Sequence, residues 1–226
     1  MATAQAVVTC INGAQLPRLR AAAGTDIANG TGNPKRSRYA FNAPLVYLKL
    51  QTACFRRCRA AFRCASGYDV DLDQAGLILV WPRPGLANPS AEEPCDEGSA
   101  PSYVMAGVER FRGRVMRSCV ENVEGKLDWS TWPLDADAPG RRDCSRVAVE
   151  MIRSAERLVV VFILEGPDGT QQRILFRTMS WCFPDDVLWV GFFAARPDWD
   201  GITESSLEID IEEFEVQSET DVMKIV

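Results

Sequence analysis

Hydrophobic positions along this chain come in short bursts of strand length, separated by polar or turn-forming residues. Clear bursts are Leu45–Leu50, Cys54–Cys64, Ala75–Trp81, Tyr103–Arg110, Arg114–Glu121, Arg146–Ile152, Arg157–Leu164, Arg173–Thr178, Val187–Ala195 and Leu207–Val216. Leu207-Glu208-Ile209-Asp210-Ile211-Glu212 alternates strictly, the pattern of a strand with one wet face. Ala75–Trp81 is apolar throughout, which suits a strand buried on both faces and ended by Pro82 and Pro84. Phe111-Arg112-Gly113 between two such bursts predicts a β-hairpin, with Gly113 free to take a positive φ. Pro167-Asp168-Gly169 marks another turn. Roughly ten short strands and no long amphipathic helix predict an all-β, two-sheet antiparallel jelly-roll sandwich.

One domain is expected over residues 1–226. Residues 1–38 form an N-terminal arm or loop, with 14–24 able to make a short helix whose start Pro17 limits. Residues 82–102, with Pro82, Pro84, Pro89, Pro94 and Pro101, read as a long loop of the kind that often covers a binding site. Residues 217–226 read as a frayed tail.

Composition narrows the chemistry by what it lacks. The chain has no histidine. Ser-His-Asp and Cys-His catalysis are therefore excluded, as is zinc held by imidazole. Proton transfer near neutral pH falls to a carboxyl of raised pKa, a tyrosine, a cysteine or a lysine. The net charge of −6 argues against a nucleic-acid groove. The longest apolar run, Leu158–Leu164, is far too short to span a membrane as a helix. Gly166-x-x-Gly169 lacks the Gly-Lys-Ser/Thr ending of a phosphate loop, so no nucleotide cofactor is expected. The start of the chain has no basic residue ahead of an apolar core, and the expected location is cytoplasmic. Eight cysteines without a Cys-x-x-Cys pair then read as mostly free buried thiols, with a Cys54–Cys58 bridge left open.

Several short motifs, taken in order, resemble a known family. They are Phe41-Asn42-Ala43-Pro44, Tyr68, Asp73-Gln74-Ala75-Gly76-Leu77, Gly107-Val108-Glu109, Phe111–Arg114, Asp128-Trp129-Ser130, Val190-Gly191 and Glu213-Phe214-Glu215. The set is similar to the "regulation of enolase protein" type of domain, a group of unknown function in the concanavalin A-like lectin and glucanase superfamily. The resemblance runs from about Arg38 to Val216. It implies a concanavalin A-like sandwich. Where the family tends to read Trp-x-Lys-x-Gly-x-Glu, this chain has Tyr103, Met105, Gly107 and Glu109. The loss of the cation favours an apolar ligand over a sugar or an anion.

Alternation along a strand puts positions 103, 105, 107 and 109 on one face. Glu109 is then a carboxyl in a sandwich cavity, its pKa raised by desolvation, or else the partner of Arg114 or Arg117. Arg114 and Arg117 are the arginines best placed to bind a carboxylate or enolate. Glu109, Arg114 and Arg117 are the candidate catalytic residues. Tyr68, Gln74, Trp81, Tyr103, Met105, Trp129 and Trp132 are the candidate substrate contacts, with Trp129 and Trp132 beside a loop. Asp69, Asp71 and Asp73, spaced by two, read as a solvated charged edge rather than a cation site, with Asp73 capping a turn. No metal is expected. Glu208-x-Asp210-x-Glu212-Glu213 superficially matches a glucanase strand but reads as a solvated acidic face.

The expected function is a cofactor-independent biosynthetic enzyme holding an apolar polycyclic, polyketide-like or terpenoid substrate. Dehydration, cyclisation or cycloaddition would follow from orientation and hydrogen bonding alone. The alternatives are a carbohydrate-binding module and a non-catalytic regulatory protein. The expected partner is a small molecule, with a homodimer allowed.

Overall fold

A computed structural model describes residues 7–12, 18–28, 40–83, 101–134, 146–165, 169–180, 184, 186–198, 200–219 and 224–225. Among the described residues, sixteen strands run in chain order. They are β1 Val7–Asn12, β2 Arg18–Ala21, β3 Ile27–Ala28, β4 Ala40–Phe41, β5 Leu45–Gln51, β6 Phe55–Cys64, β7 Gln74–Trp81 and β8 Ser102–Phe111. The others are β9 Arg114–Val123, β10 Lys126–Pro133, β11 Val147–Ser154, β12 Arg157–Glu165, β13 Gln171–Ser180, β14 Val187–Ala195, β15 Leu207–Ser218 and β16 Lys224–Ile225. A 3-10 turn, Thr52–Cys54, separates β5 from β6.

Two seven-stranded antiparallel sheets form the body. Sheet I has the order β1-β15-β6-β11-β12-β13, with β2 also paired to β15. Sheet II has the order β10-β9-β8-β7-β14-β5-β16. A small third ribbon pairs β3 with β4.

The hydrophobic bursts identified in the sequence are all strands here. The differences lie where burial is one-sided or short. Residues 18–21, inside the segment read as a short helix, are strand β2, since Leu19 and Ala21 alternate inward and pair with β15. Trp129 and Trp132 sit on β10, a full strand registered on β9, and not beside a loop. The polar residues of β10 hid it, because an edge strand can be wet on both sides. Part of the tail returns as β16 to pair with β5. Most of the proline-rich 82–102 segment, and Pro167 and Asp168 of the expected turn, lie outside the described residues.

The main core fills the space between the sheets. Phe55, Phe62, Phe162, Ile209 and Phe214 of sheet I meet Leu77, Leu79, Val104, Ala106, Val190 and Phe192 of sheet II. Phe62 and Phe192 touch edge to face across the gap, with centroids 4.8 Å apart. A second core lies on the outer face of sheet II, where Ile78, Val80, Tyr103, Met105, Trp189 and Phe193 are roofed by Ile27, Phe41 and Ala43. Two cores on opposite faces explain why every residue of β7 is buried.

The hairpin between β8 and β9 turns through Arg112 and Gly113, both at positive φ, as a primed two-residue turn requires. Gly76 and Gly107 stand directly opposite each other. A Cβ at Gly107 would lie 2.1 Å from the Ala75 carbonyl oxygen, and one at Gly76 would lie 2.3 Å from that of Ala106. The glycines therefore allow a backbone approach that no other residue permits.

Cys54, Cys58, Cys64 and Cys119 are free thiols, so Cys54 and Cys58 form no bridge. Burial pushes the Cys119 thiol up to about 12, and it raises that of Cys58 further. No helix among the described residues is long and apolar enough to cross a membrane.

Candidate functional site

The outer core of sheet II stops short of the β10 edge and leaves a pocket of about 140 Å3. Its floor is Gln74 of β7, Tyr103, Met105 and Glu109 of β8, Val120 of β9, and Leu127 and Trp129 of β10. Asp26, Ile27 and Ala28 wall one side, with Leu72 and Pro197 on another. The cavity expected within the sandwich thus lies outside it, on the face that the β3–β4 ribbon covers. Residues 103, 105, 107 and 109 do share that face.

Glu109 is 6% exposed. Its Oε2 accepts hydrogen bonds from Ser118 Oγ at 2.8 Å and Trp129 Nε1 at 3.0 Å. Trp129 Nε1 also donates to Ser118 Oγ at 3.2 Å. Ser118 faces Gly107 across the strands, and the absent side chain there lets its hydroxyl reach diagonally to Glu109. Burial pushes the Glu109 carboxyl up to about 7. The Ser118 and Trp129 bonds pull it down in part, and the Asp26 carboxylate adds a further push upward. Both protonation states are then populated near neutral pH.

The alternative of an arginine partner for Glu109 does not hold, because the neighbours that reach it are neutral donors. Arg117 points to the opposite face of β9, where its Nη2 donates to the Pro133 carbonyl at 3.1 Å and its guanidinium lies over the Phe162 ring. Alternation explains this: 109 pairs with Met116, and 117 is one residue out of phase. Arg114 is exposed at the hairpin.

The other predicted contacts divide by the same rule. Gln74, Tyr103, Met105 and Trp129 line the pocket. Tyr68 and Trp81 belong to the core between the sheets, where Trp81 Nε1 donates to Thr52 Oγ1 at 3.1 Å. Trp132 is opposite Arg117 and shares its inward face at the sandwich edge. Trp129 is three residues away, an odd step, and so lies on the pocket side.

Asp69, Asp71 and Asp73 lie in a turn over residues 69–73, and Asp73 is not part of a solvated edge. Asp73 is fully buried and accepts the backbone N–H groups of Asp69 and Val70 at 3.1 and 3.0 Å, the capping role expected of it. It also pairs bidentately with Arg196, at 2.8 and 2.7 Å. Arg196 is 1% exposed and reaches Asp69 and the Ser205 hydroxyl as well. It ties together three loops that wall the pocket, and sequence reasoning missed it. A lone arginine before a proline carries no pattern. Asp26 and Ser118 were missed too: Asp26 sits in a segment with little strand signal, and Ser118 acts only through the gap at Gly107. Asp26 is buried, its Oδ1 accepting the Ile27 N–H at 2.8 Å and a longer contact from Gln74 Nε2 at 3.4 Å.

No group of three or more metal-ligating side chains comes together among the described residues. What the pocket offers chemically is the Glu109 carboxyl, the Asp26 carboxylate, the Gln74 amide, the Tyr103 phenol, a half-exposed indole and apolar walls.

This is a concanavalin A-like jelly-roll sandwich with a pocket on the outer face of one sheet. Its fold is similar to the solved structures of basic winged bean lectin with Tn-antigen and lectin UEA-II complexed with galactose. The first is 15% identical with a TM-score of 0.54 and covers 95% of this chain and 98% of that one. The second is 12% identical with a TM-score of 0.52 and covers 94% and 98%. A functionally unknown protein from Saccharomyces cerevisiae is 19% identical with a TM-score of 0.56, over 98% of this chain and 96% of that one. The chain belongs to the family described as "Protein of unknown function (DUF1349)", whose pattern matches residues 15–218. Uncharacterized protein AN7484 of Emericella nidulans is 26% identical over 160 residues, 70% of this chain and 67% of that protein. These matches carry the family and the fold, and the family description names no activity and no link to enolase.

Proposed function

We propose that the protein binds a compact, one-ring molecule bearing a hydroxyl or carbonyl oxygen on the outer face of sheet II, and that Glu109 exchanges a proton with it. The observation that carries this reading is Glu109 itself: a buried carboxyl in an apolar pocket, held through one oxygen by neutral donors and poised at about 7. The volume of about 140 Å3 sets the size of the group that can be seated there. Pockets for drug-sized ligands run to roughly 300–1,000 Å3, whereas an apolar cavity of about 150 Å3 holds benzene. A single ring fills the pocket itself, and anything larger extends out over its open rim. Cofactor-independent elimination of water suits the groups present. Protonated Glu109 gives its proton to a leaving hydroxyl, water departs, and the resulting carboxylate takes the proton from the adjacent carbon.

A second reading is a binding module for one sugar residue. Trp129, 42% exposed at the rim beside Gln74, Asp26 and Glu109, offers an aromatic face next to polar groups. The lectin likeness supports the fold alone.

Thermal stability against a panel of monosaccharides and single-ring alcohols and ketones tests both, since binding raises the midpoint by mass action. A shift with the apolar rings, and turnover that Glu109→Gln abolishes while binding persists, is the expected result. A shift with sugars alone moves the case to the second reading. Turnover unchanged in Glu109→Gln would remove Glu109 from the mechanism.

A further inference from the structure

Beside the pocket lies a larger open cleft of about 380 Å3, and the two share Leu72 and Pro197 in their walls. The cleft is lined by Asp69, Asp71, Asp198, Asp200, Arg110 and Phe111, among others. Phe111 is also the ring on which Trp129 rests edge-on, with centroids 5.0 Å apart, so one aromatic pair bridges cleft and pocket.

The charges in the cleft do not cancel. Asp69 and Asp73 share the single guanidinium of Arg196. Asp71 accepts from Arg110 Nε at 3.3 Å and from the Gly113 N–H at 3.0 Å. Asp198 is capped by the Ile202 and Thr203 amides, at 2.8 and 3.1 Å, which leaves its charge in place. Asp200 is exposed. The wall therefore holds four carboxylates, Asp69, Asp71, Asp198 and Asp200, against the Arg110 guanidinium, with the Asp73–Arg196 pair behind it, the Arg112 guanidinium over the Phe111 ring, and Glu109 and Asp26 just beyond it in the pocket. These carboxylates are dispersed and already committed to loop contacts, and no three converge as a metal ion would need. Such a diffuse negative field suits an organic ammonium group, which requires no fixed coordination shell.

We infer that pocket and cleft are two halves of one site, and that its ligand is a cationic amphiphile: a single apolar ring seated on Met105 and Trp129, carrying a protonated amine into the acidic cleft. The inference rests on the one-ring pocket proposed above and names the substrate class for it. The amine points past Leu72, the residue between the two cavities. Leu72 holds a φ of +74° while its N–H donates to the Arg110 carbonyl at 2.7 Å.

Titration of the full chain with three matched probes tests it: phenethylamine, 2-phenylethanol and phenylacetate, at low ionic strength and again with added salt. The expected order is amine, then alcohol, then acid. The amine should bind roughly tenfold tighter than the alcohol at low salt, with the gap narrowing as salt screens the field. Asp200→Asn should weaken the amine by roughly three-fold, the worth of one charge several ångströms away in a water-like medium, and leave the alcohol unchanged. Asp71→Asn together with Asp200→Asn should weaken it further. Equal binding of amine and alcohol overturns the inference while leaving the ring pocket standing. A preference for the amine that survives both aspartate changes and vanishes in Glu109→Gln also overturns it, because Glu109 alone would then hold the cation. Failure of all three probes to bind sinks the pocket reading as well.

Discussion

The two outer faces of this sandwich solve the same problem in opposite ways. On sheet I, arginines and carboxylates interlock across strands. Arg63 meets Glu212, Arg59 meets Glu213, Arg57 meets Glu215, and Arg146 reaches Glu165, Glu212 and Glu213. On sheet II the outer face is apolar and roofed by the β3–β4 ribbon. Among the described residues, each face also buries one glutamate. Glu150 on sheet I has Arg57 and Arg173 beside it, whereas Glu109 on sheet II has Ser118 and Trp129 as its donors among the described residues. Guanidiniums can neutralise a buried charge, but neutral donors can only share it. This difference leaves Glu109 as a carboxyl that still holds its proton near pH 7. The acidic β15 motif that superficially matched a glucanase strand belongs to the first kind of face and is consumed in ion pairs.

The comparison breaks hardest at the floor of sheet II. Gly107→Ala places a Cβ against the Ala75 carbonyl and must push β7 and β8 apart. A loss of about 3–5 kcal/mol in denaturant unfolding is expected, and an effect under about 1 kcal/mol would mean the strands yield freely. Next comes Glu109. Its pKa is raised from 4.5 to about 7 on folding, so the folded state holds a proton that the unfolded chain releases earlier. Its contribution is full below about pH 4.5 and is lost as pH rises through about 7, an amplitude of about 3 kcal/mol. Glu109→Gln should flatten that part of the stability-versus-pH curve. An unchanged curve would show that Glu109 does not titrate there.

Trp129→Phe keeps an aromatic side chain, a smaller one, and removes one donor to Glu109. It should cost about 1 kcal/mol and move the Glu109 titration upward, which carboxyl-labelled NMR can follow. Smallest is Arg63→Gln on sheet I. Its pair with Glu212 is half exposed, so the loss should stay below about 1 kcal/mol and shrink with salt. A loss as large as that of Gly107→Ala would show that the ion-pair ladder, and not the buried floor, holds the sandwich together.

Much of this was readable from alternation. The strictly alternating Leu207–Glu212 run and the uniformly apolar Ala75–Trp81 run told which strands have one wet face and which have none. The residues that carried the family resemblance also converge: Asp73 caps a turn of the pocket wall, Gln74 and Glu109 face each other across β7 and β8, and Trp129 closes the rim. The errors came from distance in phase. Arg117 is an odd number of residues from the pocket positions of its own strand, and Trp132 an odd number from Trp129, so Arg117 turns into the sandwich and Trp132 lies exposed at the edge of that same face.

The sequence by itself determined the all-β sandwich, the absence of imidazole chemistry, and the shared face of Tyr103, Met105 and Glu109. These are local properties, set by a period of two and by composition. Only the tertiary structure decided which side of the sheet that face meets. That depends on the β3–β4 ribbon folding over sheet II, on Arg196 gathering three loops, and on Ser118 reaching across an empty glycine position. Each joins residues far apart in the chain, and no periodicity along one strand encodes them.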